Sequence, residues 1–374
     1  MGNVCSKFDY GIGAEAIDFD GKNRYIRITD IDEENSHYIR KSEVSPSFTD
    51  ENCIVKENDI LFARTGASTG KTYLYNEQDG KLYFAGFLIR ANVKNEFSAY
   101  FIYQQTKIDR YKKWIKIMSA RSGQPGINAK EYQEYKVYYP NRQIQDKVAS
   151  FFTLLDQRID TQSKIIEDLE LFKNMISYKV LYDDKTVCYK PLSSFSELKN
   201  GYAFKSNTYS SKGDYQIVTI ANVTGNRYID LTSSNKKLNI PNDIQSHQIL
   251  KINDILISLT GNVGRVSYCN KLNCLLNQRV GLLSIKNKDL IEYIFQCIHN
   301  KIFEKTMISR GQGVAQLNIG KYDVESFEIP VYSQDRMNTI SEVLKLIDFK
   351  IIKEKDILEL YKKQKAYLLK NMFI

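Results

Sequence analysis

The sequence predicts an α+β protein written twice: two pseudo-repeated α/β domains separated by two long helices that pair as an antiparallel coiled coil. Three observations carry this prediction. A set of short motifs recurs along the whole chain at offsets between 189 and 195 residues. Each copy closes in a segment whose apolar residues repeat every 3.5 positions, the seam two helices need to pack lengthwise. The 374 residues, 43% of them hydrophobic, are enough for two separate cores.

The repeat begins in strand-like runs punctuated by Gly and Asn, Tyr25-Ile-Arg-Ile-Thr29 and Asp59-Ile-Leu-Phe-Ala63 in the first copy, Ile217-Val-Thr-Ile220 and Asp254-Ile-Leu-Ile-Ser258 in the second. Asn58-Asp-Ile-Leu61 returns as Asn253-Asp-Ile-Leu256, and each is followed by Thr-Gly at Thr65-Gly66 and Thr260-Gly261. Further on, Arg121-Ser-Gly-Gln-Pro-Gly-Ile-Asn128 matches Arg310 through Asn318 with one insertion. Tyr132 then matches Tyr322, Pro140 matches Pro330, and Leu155-Asp156 returns as Ile347-Asp348. One difference stands out: Val187-Cys-Tyr-Lys-Pro191 leads into the second copy, and no comparable strand-like lead-in precedes the first.

Steps of four and three from Leu155 give Leu155, Ile159, Gln162, Ile166, Leu169, Lys173, Ile176 and Val180. The same steps from Ile347 give Ile347, Ile351, Glu354, Leu358, Tyr361, Lys365, Leu368 and Met372. The polar exceptions coincide, Gln162 with Glu354 and Lys173 with Lys365, and a polar seam position commonly sets register. An amphipathic helix cannot bury its stripe alone, so the two segments are expected to pair with each other, the alternative being that each packs on its own domain. Boundaries fall near residues 140–142, 183–185 and 331–333. They divide the chain into domain 1 (1–143), a central helical region (144–183), domain 2 (184–333) and a C-terminal helical region (334–374).

Composition narrows the function. No apolar run approaches the roughly 18 residues of a membrane helix, and the start has no apolar leader, so a cytoplasmic protein is expected, although Gly2, Cys5 and Ser6 fit a short acylation pattern. The cysteines (Cys5, Cys53, Cys188, Cys269, Cys274, Cys297) contain no CxxC and read as reduced structural thiols; Cys297 and His299 lack a second ligand pair, so no metal site is expected. The net charge of +9 is uneven. Residues 1–186 hold 27 basic and 27 acidic side chains, whereas residues 187–374 hold 26 and 17. A polyanion partner follows, gripped more strongly by the second half.

Motifs for catalysis fail on inspection. Gly66-Ala-Ser-Thr-Gly70-Lys71-Thr72 has three residues between its glycines where a nucleotide-binding loop has four, and its second copy, Gly261-Asn-Val-Gly264-Arg265, has lost the Lys-Thr ending. A shared turn, with Lys71 or Arg265 free to meet a phosphate, explains both. Tyr10-Gly-Ile-Gly13 has too little chain before it for a dinucleotide-binding strand. What remains is a set of polar residues at matching points. Arg can bind guanine, Asn or Gln adenine, and Lys and hydroxyls phosphate. The candidates in the first half are Arg64, Thr65, Ser68, Lys71, Arg121, Ser122, Gln124 and Asn128. In the second half they are Ser258, Thr260, Asn262, Arg265, Gln278, Arg279, Arg310, Gln312, Gln316 and Asn318. Residues equal in both copies serve the fold, so Ser68 against Asn262 is a better candidate for base choice than Thr65 against Thr260. Asn128 and Asn318 can equally cap or turn the backbone. The run Lys107, Arg110, Lys112, Lys113 and Lys116, interleaved with Tyr111 and Trp114, is either a phosphate track or a solvated helix face.

Tyr25-Ile-Arg-Ile-Thr-Asp-Ile31, Asn58-Asp-Ile-Leu61 with its Thr65-Gly66 turn, Asn277-Gln-Arg-Val-Gly281, Leu154-Leu-Asp156 and Lys370-Asn-Met-Phe373 together resemble type I restriction-modification specificity subunits, over nearly the whole chain and in register. The resemblance implies two target-recognition domains, each reading one half of a split double-stranded DNA target, and helices that form an antiparallel coiled coil, set the spacing and dock modification subunits. It implies as partners two modification subunits that use S-adenosylmethionine to methylate adenine, and restriction subunits that use ATP and Mg. This chain would hold none of these cofactors and would be non-catalytic. A coiled-coil scaffold without DNA binding, or a stand-alone DNA-modifying enzyme with unfamiliar motifs, are the competing readings.

Overall fold

The computed structural model describes residues 1–33, 35–120, 124–184, 187–205, 209–210, 213–232, 234–237, 239–313 and 316–373. The chain divides into two compact units, residues 1–162 with 357–374 and residues 163–356. Each unit therefore contains a stretch of both long helices, Arg142–Tyr182 and Gln334–Met372.

The first unit is built on a four-stranded antiparallel sheet in the order Cys5–Tyr10, Leu88–Val93, Asp59–Ala63, Thr72–Leu74. Strand pleating sends Ile60 and Phe62 to one face and Leu61 and Ala63 to the other, and both faces are covered. Ile60, Phe62, Ile89 and Ala91 pack on Phe101, Tyr111, Tyr132 and Phe152, which come from the helices Ala99–Gln104, Asp109–Met118 and Ala129–Glu134 and from the first long helix. On the other face Leu61, Ala63 and Leu88 meet Tyr25, Ile26, Leu82 and Phe84, where strands Arg24–Ile26 and Leu82–Phe84 run parallel. Burying one such side chain stabilises the unit by about 1.5–3 kcal/mol, which is why these strands read as near-continuous apolar runs.

The second unit repeats the plan. Its sheet runs Ser196–Asn200, Val280–Ile285, Ile255–Ser258, Val266–Tyr268, again antiparallel. Ile255, Ile257 and Leu283 face Phe295 and Phe303 on one side, and Leu256, Val280 and Leu282 face Val218 and Leu276 on the other. From strand Leu82–Phe84 onward the elements return 192 residues later: strands at Cys274 and Val280, helices at Ile291, Lys301, Lys321 and Gln334. The lead-in segment pairs as strand Cys188–Pro191 with Glu328–Val331, whereas the corresponding residues 136–140 of the first unit carry no strand.

The recurring Asn-Asp-Ile-Leu has a backbone cause. Asn58 and Asn253 adopt positive φ, 67° and 69°, a conformation Asn tolerates better than most residues. The following carboxylate closes the same turn: Asp59 accepts from the Lys56 amide at 2.8 Å and Asp254 from that of Lys251 at 2.7 Å. The Gly-rich stretch is likewise a turn. Gly70 and Gly264 have φ of 90° and 77°, and a Cβ at either would strike the helix behind it, at Ile115 or Met307.

Backbone pairing corrects one stretch of the sequence alignment. Thr65 bridges Gly126 and Thr260 bridges Asn318, so Asn318 stands where Gly126 does, not where Asn128 does. Asn128 caps the helix Ala129–Glu134 in a reciprocal box with Glu131, and the same place in the second unit belongs to Gly320, whose amide donates to Asp323. Tyr132 is buried and donates to the Ala63 carbonyl, while Tyr322 is 81% exposed; the buried counterpart of Tyr132 is Val324. Arg310 ends the helix Lys301–Arg310 at the place of Met118, and Pro330 likewise stands at the place of Tyr138. No insertion is needed. What the two copies share in this region is backbone shape, not residue identity.

Within each unit the two long helices run antiparallel. In the first, Asp156 pairs with Lys365 at 2.5 Å and Arg158 lies over the ring of Tyr361. In the second, Glu170 pairs with Lys355 at 2.7 Å and Lys173 with Asp348 at 2.5 Å. The repeated Asp of one helix thus takes the polar seam Lys of the other, once in each unit. The seam positions Leu155, Ile159, Ile166, Leu169, Ile176, Val180, Ile347, Ile351, Leu358, Tyr361 and Leu368 are buried or half-buried, as are Gln162 and Glu354. Met372 departs from the expected phase: it is 44% exposed, and Leu369 and Phe373 enter the first unit's core instead. The helices also pack on their domains, so pairing and domain packing are not alternatives. Phe152 and Leu155 join the first core, and Leu181, Met337, Ile340 and Leu344 the second.

Candidate nucleic-acid interface

Three loops of each unit are joined at one edge by main-chain hydrogen bonds. In the first unit the Arg64 amide donates to Phe87 O (3.1 Å), the Ile127 amide to Arg64 O (2.9 Å) and the Gly66 amide to Pro125 O (2.9 Å). In the second the Leu259 amide donates to Arg279 O (3.0 Å), the Ile319 amide to Leu259 O (2.9 Å) and the Gly261 amide to Leu317 O (2.8 Å). The bonds correspond one to one. Each unit therefore carries a platform made of the loop after its central strand, the loop between two strands (85–87 or 277–279) and the segment before its short helix (124–126 or 316–318).

Close packing anchors the platform from behind. Gly11 and Gly201 pass so near the backbone of Phe84-Ala85 and Leu276-Asn277 that a Cβ would overlap it, at 2.2 Å in both units. The Gly86 amide donates to Ile12 O and the Gln278 amide to Tyr202 O, at 2.8 and 2.9 Å. Gly66 and Gly261, both at positive φ, lie beside the amide nitrogens of Gln124 and Gln316. These two glutamines are structurally equivalent and exposed.

The structure sorts the sequence candidates. On the platforms stand Arg64, Thr65 and Gln124 in the first unit, and Thr260, Gln278, Arg279, Gln316 and Asn318 in the second; Asn262 and Gln312 are exposed beside the latter, with the main chain of Gln312 paired to Asn318. Arg64 lays its guanidinium over the Tyr10 ring, 4.7 Å from its centre. Ser68 is half-buried, and its carbonyl closes the turn to the Lys71 amide. Others are committed to the fold. Lys71, expected to be free, is 10% exposed and donates to Glu33 at 2.6 Å and Ile31 O at 2.5 Å. Arg265, at the equivalent place, is half-exposed with Glu304 at 3.8 Å. Ser258 is fully buried and bonded to Asn262 O and the Arg265 amide. Asn128 is the helix cap described above, and Arg310 donates to Asp323 O and Ser326. Arg121 and Ser122 lie outside the described residues.

The basic run splits in the same way. Lys107 turns inward onto Ser36 and Thr72, and burial, followed by the neighbouring charge of Lys365, holds its amine well below the ordinary range. Arg110 stacks on Tyr138. Lys112, Lys113 and Lys116 are exposed on the helix Asp109–Met118, with Tyr111 packed into the core behind them. The Cys297 thiol is buried, and both ring nitrogens of His299 are engaged, one by Gly225 O and one by Lys173. Sequence reading missed Phe87, a 64% exposed aromatic at the tip of the 85–87 loop. Its signal was the 192-residue offset from Arg279, hidden because the rest of that loop shares no letters with its counterpart.

Two α/β units, each with a loop platform built by the same main-chain bonds, define a duplicated two-domain protein. The model of the type I restriction modification DNA specificity domain matches the chain twice, over residues 11–171 and 185–363, and the chain belongs to that family. It is similar to the putative type I restriction enzyme MjaX specificity subunit of Methanocaldococcus jannaschii, 24% identical over 83% of this chain and 74% of that one. It is also similar to the MjaVIII specificity subunit of the same organism, 22% identical over 90% of this chain and 84% of that one. Among solved structures, its fold resembles the type I restriction-modification S subunit from M. genitalium (TM-score 0.61, 16% identity, 98% of this chain and 93% of that one). It also resembles a chain of a type I R-M system solved to describe complex assembly and conformational transition (TM-score 0.56, 15% identity, 98% and 95%).

Proposed function

We propose that each unit applies its three-loop platform to one half of a split DNA target, and that the chain directs partner subunits without reacting itself. The observation that carries this reading is the doubled platform: the same backbone bonds build it twice, with Thr65 and Gln124 repeated as Thr260 and Gln316, while other displayed side chains differ, Gly86 against Gln278, Phe87 against Arg279 and Gly126 against Asn318. Common backbone with divergent side chains suits two readers of different sequences, since hydrogen-bonding groups on base edges carry the discrimination. Arg64, Thr65 and Gln124 serve the first reader and Thr260, Asn262, Gln278, Arg279, Gln312, Gln316 and Asn318 the second.

The long helices would dock two modification subunits and fix the gap between half-targets. Exposed apolar side chains recur at matched positions of the two helices: Phe151 with Val343, Leu154 with Leu346 (both 64% exposed), and Met175 with Tyr367. Apolar side chains held in water in a repeated pattern mark a surface for protein contact. Two equal patches suit two copies of one partner. S-adenosylmethionine for adenine methylation would come with the modification subunits, and ATP and Mg for cleavage with restriction subunits. Placement of the chain on the duplex then decides which adenines a partner flips out and methylates.

Methylome sequencing of a host that expresses the chain with its modification subunit tests this reading. A two-part adenine-methylated motif with a fixed gap is expected. A continuous motif would overturn it.

A further inference from the structure

We infer that the residue at the tip of the strand-linking loop, Phe87 in the first unit and Arg279 in the second, selects one base pair in each half-target. Phe87 does so by packing on the 5-methyl group of a thymine, and Arg279 by donating to O6 and N7 of a guanine. The inference rests on the DNA-reading assignment above and names the chemistry by which it works.

The two residues occupy the same place. Ile12 and Tyr202 amides donate to Phe84 O and Leu276 O (2.9 and 2.8 Å), Ala85 and Asn277 amides to Ile26 O and Val218 O (3.0 and 3.1 Å), and Leu88 and Val280 amides to Ala85 O and Asn277 O (2.8 and 2.9 Å). With the Phe87 and Arg279 carbonyls accepting from Arg64 and Leu259, both loops are held at every turn of the backbone. The tip residue thus has a fixed main chain and a side chain in solvent.

What the tips display is opposite in character. In the first unit the loop reads Ala85-Gly86-Phe87, with no polar side chain, and the neighbouring Arg64 is drawn onto the Tyr10 ring. In the second it reads Asn277-Gln278-Arg279, with the Asn277 side chain turned back to accept from the Arg279 amide at 3.2 Å and Gln278 and Arg279 exposed. A loop with only apolar side chains can distinguish bases only through an apolar group, and the thymine methyl is the one such group in the major groove. A guanidinium is matched by the two adjacent acceptors of guanine. An exposed Phe on an otherwise polar platform is the kind of side chain that binding covers.

The test uses the chain assembled with its modification subunits and duplexes carrying the methylated motif found for it. Deoxyuridine replaces each thymidine in turn, removing only the methyl, and 7-deazadeoxyguanosine replaces each deoxyguanosine, removing only the N7 acceptor. One thymidine in one half should give a severalfold loss of binding on replacement, absent in Phe87→Ala, and one deoxyguanosine in the other half a loss of about tenfold, absent in Arg279→Ala. Phe87→Arg should change the methylated motif at that one position of the first half and leave the second half unchanged. Thermal melting at the wild-type temperature confirms that these exposed substitutions leave the fold intact. The inference is overturned if no thymidine responds, if Phe87→Ala responds as wild type does, or if Arg279→Ala keeps its guanine. A wild-type complex that yields no two-part motif overturns the DNA-reading assignment itself, a result visible before any variant is made.

Discussion

His299 shows how much a single side chain can depend on its surroundings. Its ring stacks on Phe295, Nε2 donates to Gly225 O at 2.8 Å, and Nδ1 accepts from Lys173 at 2.9 Å. Burial first, and then the Lys173 charge, lower its pKa from 6.5 to about 3. Protonation of Nδ1 would break the Lys173 bond and set two cations side by side, with Arg227 also near, and the opposing pull of Asp348 and the Gly225 carbonyl is the weaker. In the unfolded chain the imidazole takes up a proton near pH 6.5, and in the folded chain only near pH 3. Between these values the unfolded state binds more protons, so stability falls as pH falls through the window. The melting temperature should therefore drop between pH 7 and pH 5, and His299→Gln, which keeps one acceptor and one donor without titrating, should flatten that drop. An equal slope in the variant would show that His299 does not govern it. The same packing accounts for His299 beside Cys297: the ring serves Gly225 and Lys173.

At the scale of the helix pair, two reciprocal ion pairs set the register. Lys173 and Asp348 are both almost fully buried, and Asp348 also accepts from Arg227 at 3.0 Å and Gln296 at 2.9 Å, while Arg227 is clamped by Glu292 at 2.6 Å. Burial alone would raise the Asp348 carboxyl, but Lys173, His299 and Gln296 hold it below its ordinary value. Asp156 and Lys365 are the counterpart in the first unit, where Tyr100 also donates to Asp156, and both charges there are about a quarter exposed. Removing one partner of a buried pair leaves the other charge without compensation, which costs about 3–5 kcal/mol, whereas solvent-screened pairs cost far less. Asp348→Asn should thus lower the midpoint of urea unfolding markedly and Asp156→Asn only slightly. Equal losses would mean that burial does not distinguish the two pairs. The seam pattern was legible in the sequence, and so were Lys173 and Lys365 as its exceptions. Their partners were not, because Asp156 and Asp348 lie beside the seam and become neighbours only when two distant segments run antiparallel.

At the scale of the whole molecule the duplication governs function. Each unit has its own sheets, its own cores and its own platform. Replacing residues 1–143 by the corresponding domain of another family member should therefore change one half of the methylated motif and leave the other half intact, read by methylome sequencing. A change in both halves would show that the platforms do not act separately. The uneven charge adds a second dimension, since the surplus of basic residues lies entirely in residues 187–374. Phosphate contact is accordingly expected to fall more heavily on the second half-target.

The architecture is written along the chain: two copies, their order, the long helices and every seam residue but Met372. These depend on periodicity and repetition, which survive in one dimension because apolar burial imposes them position by position. Which polar residues are available to a ligand depends on how the chain folds. Lys71, Ser258, Arg310 and Asn128 look in sequence like Thr65, Gln124 and Arg279, yet the first four spend their hydrogen bonds inside the fold and the last three stand on the platform. Phe87 was overlooked for the converse reason. An apolar residue is read as core until the chain is folded, and here the main-chain bonds of its loop hold its side chain outward in water.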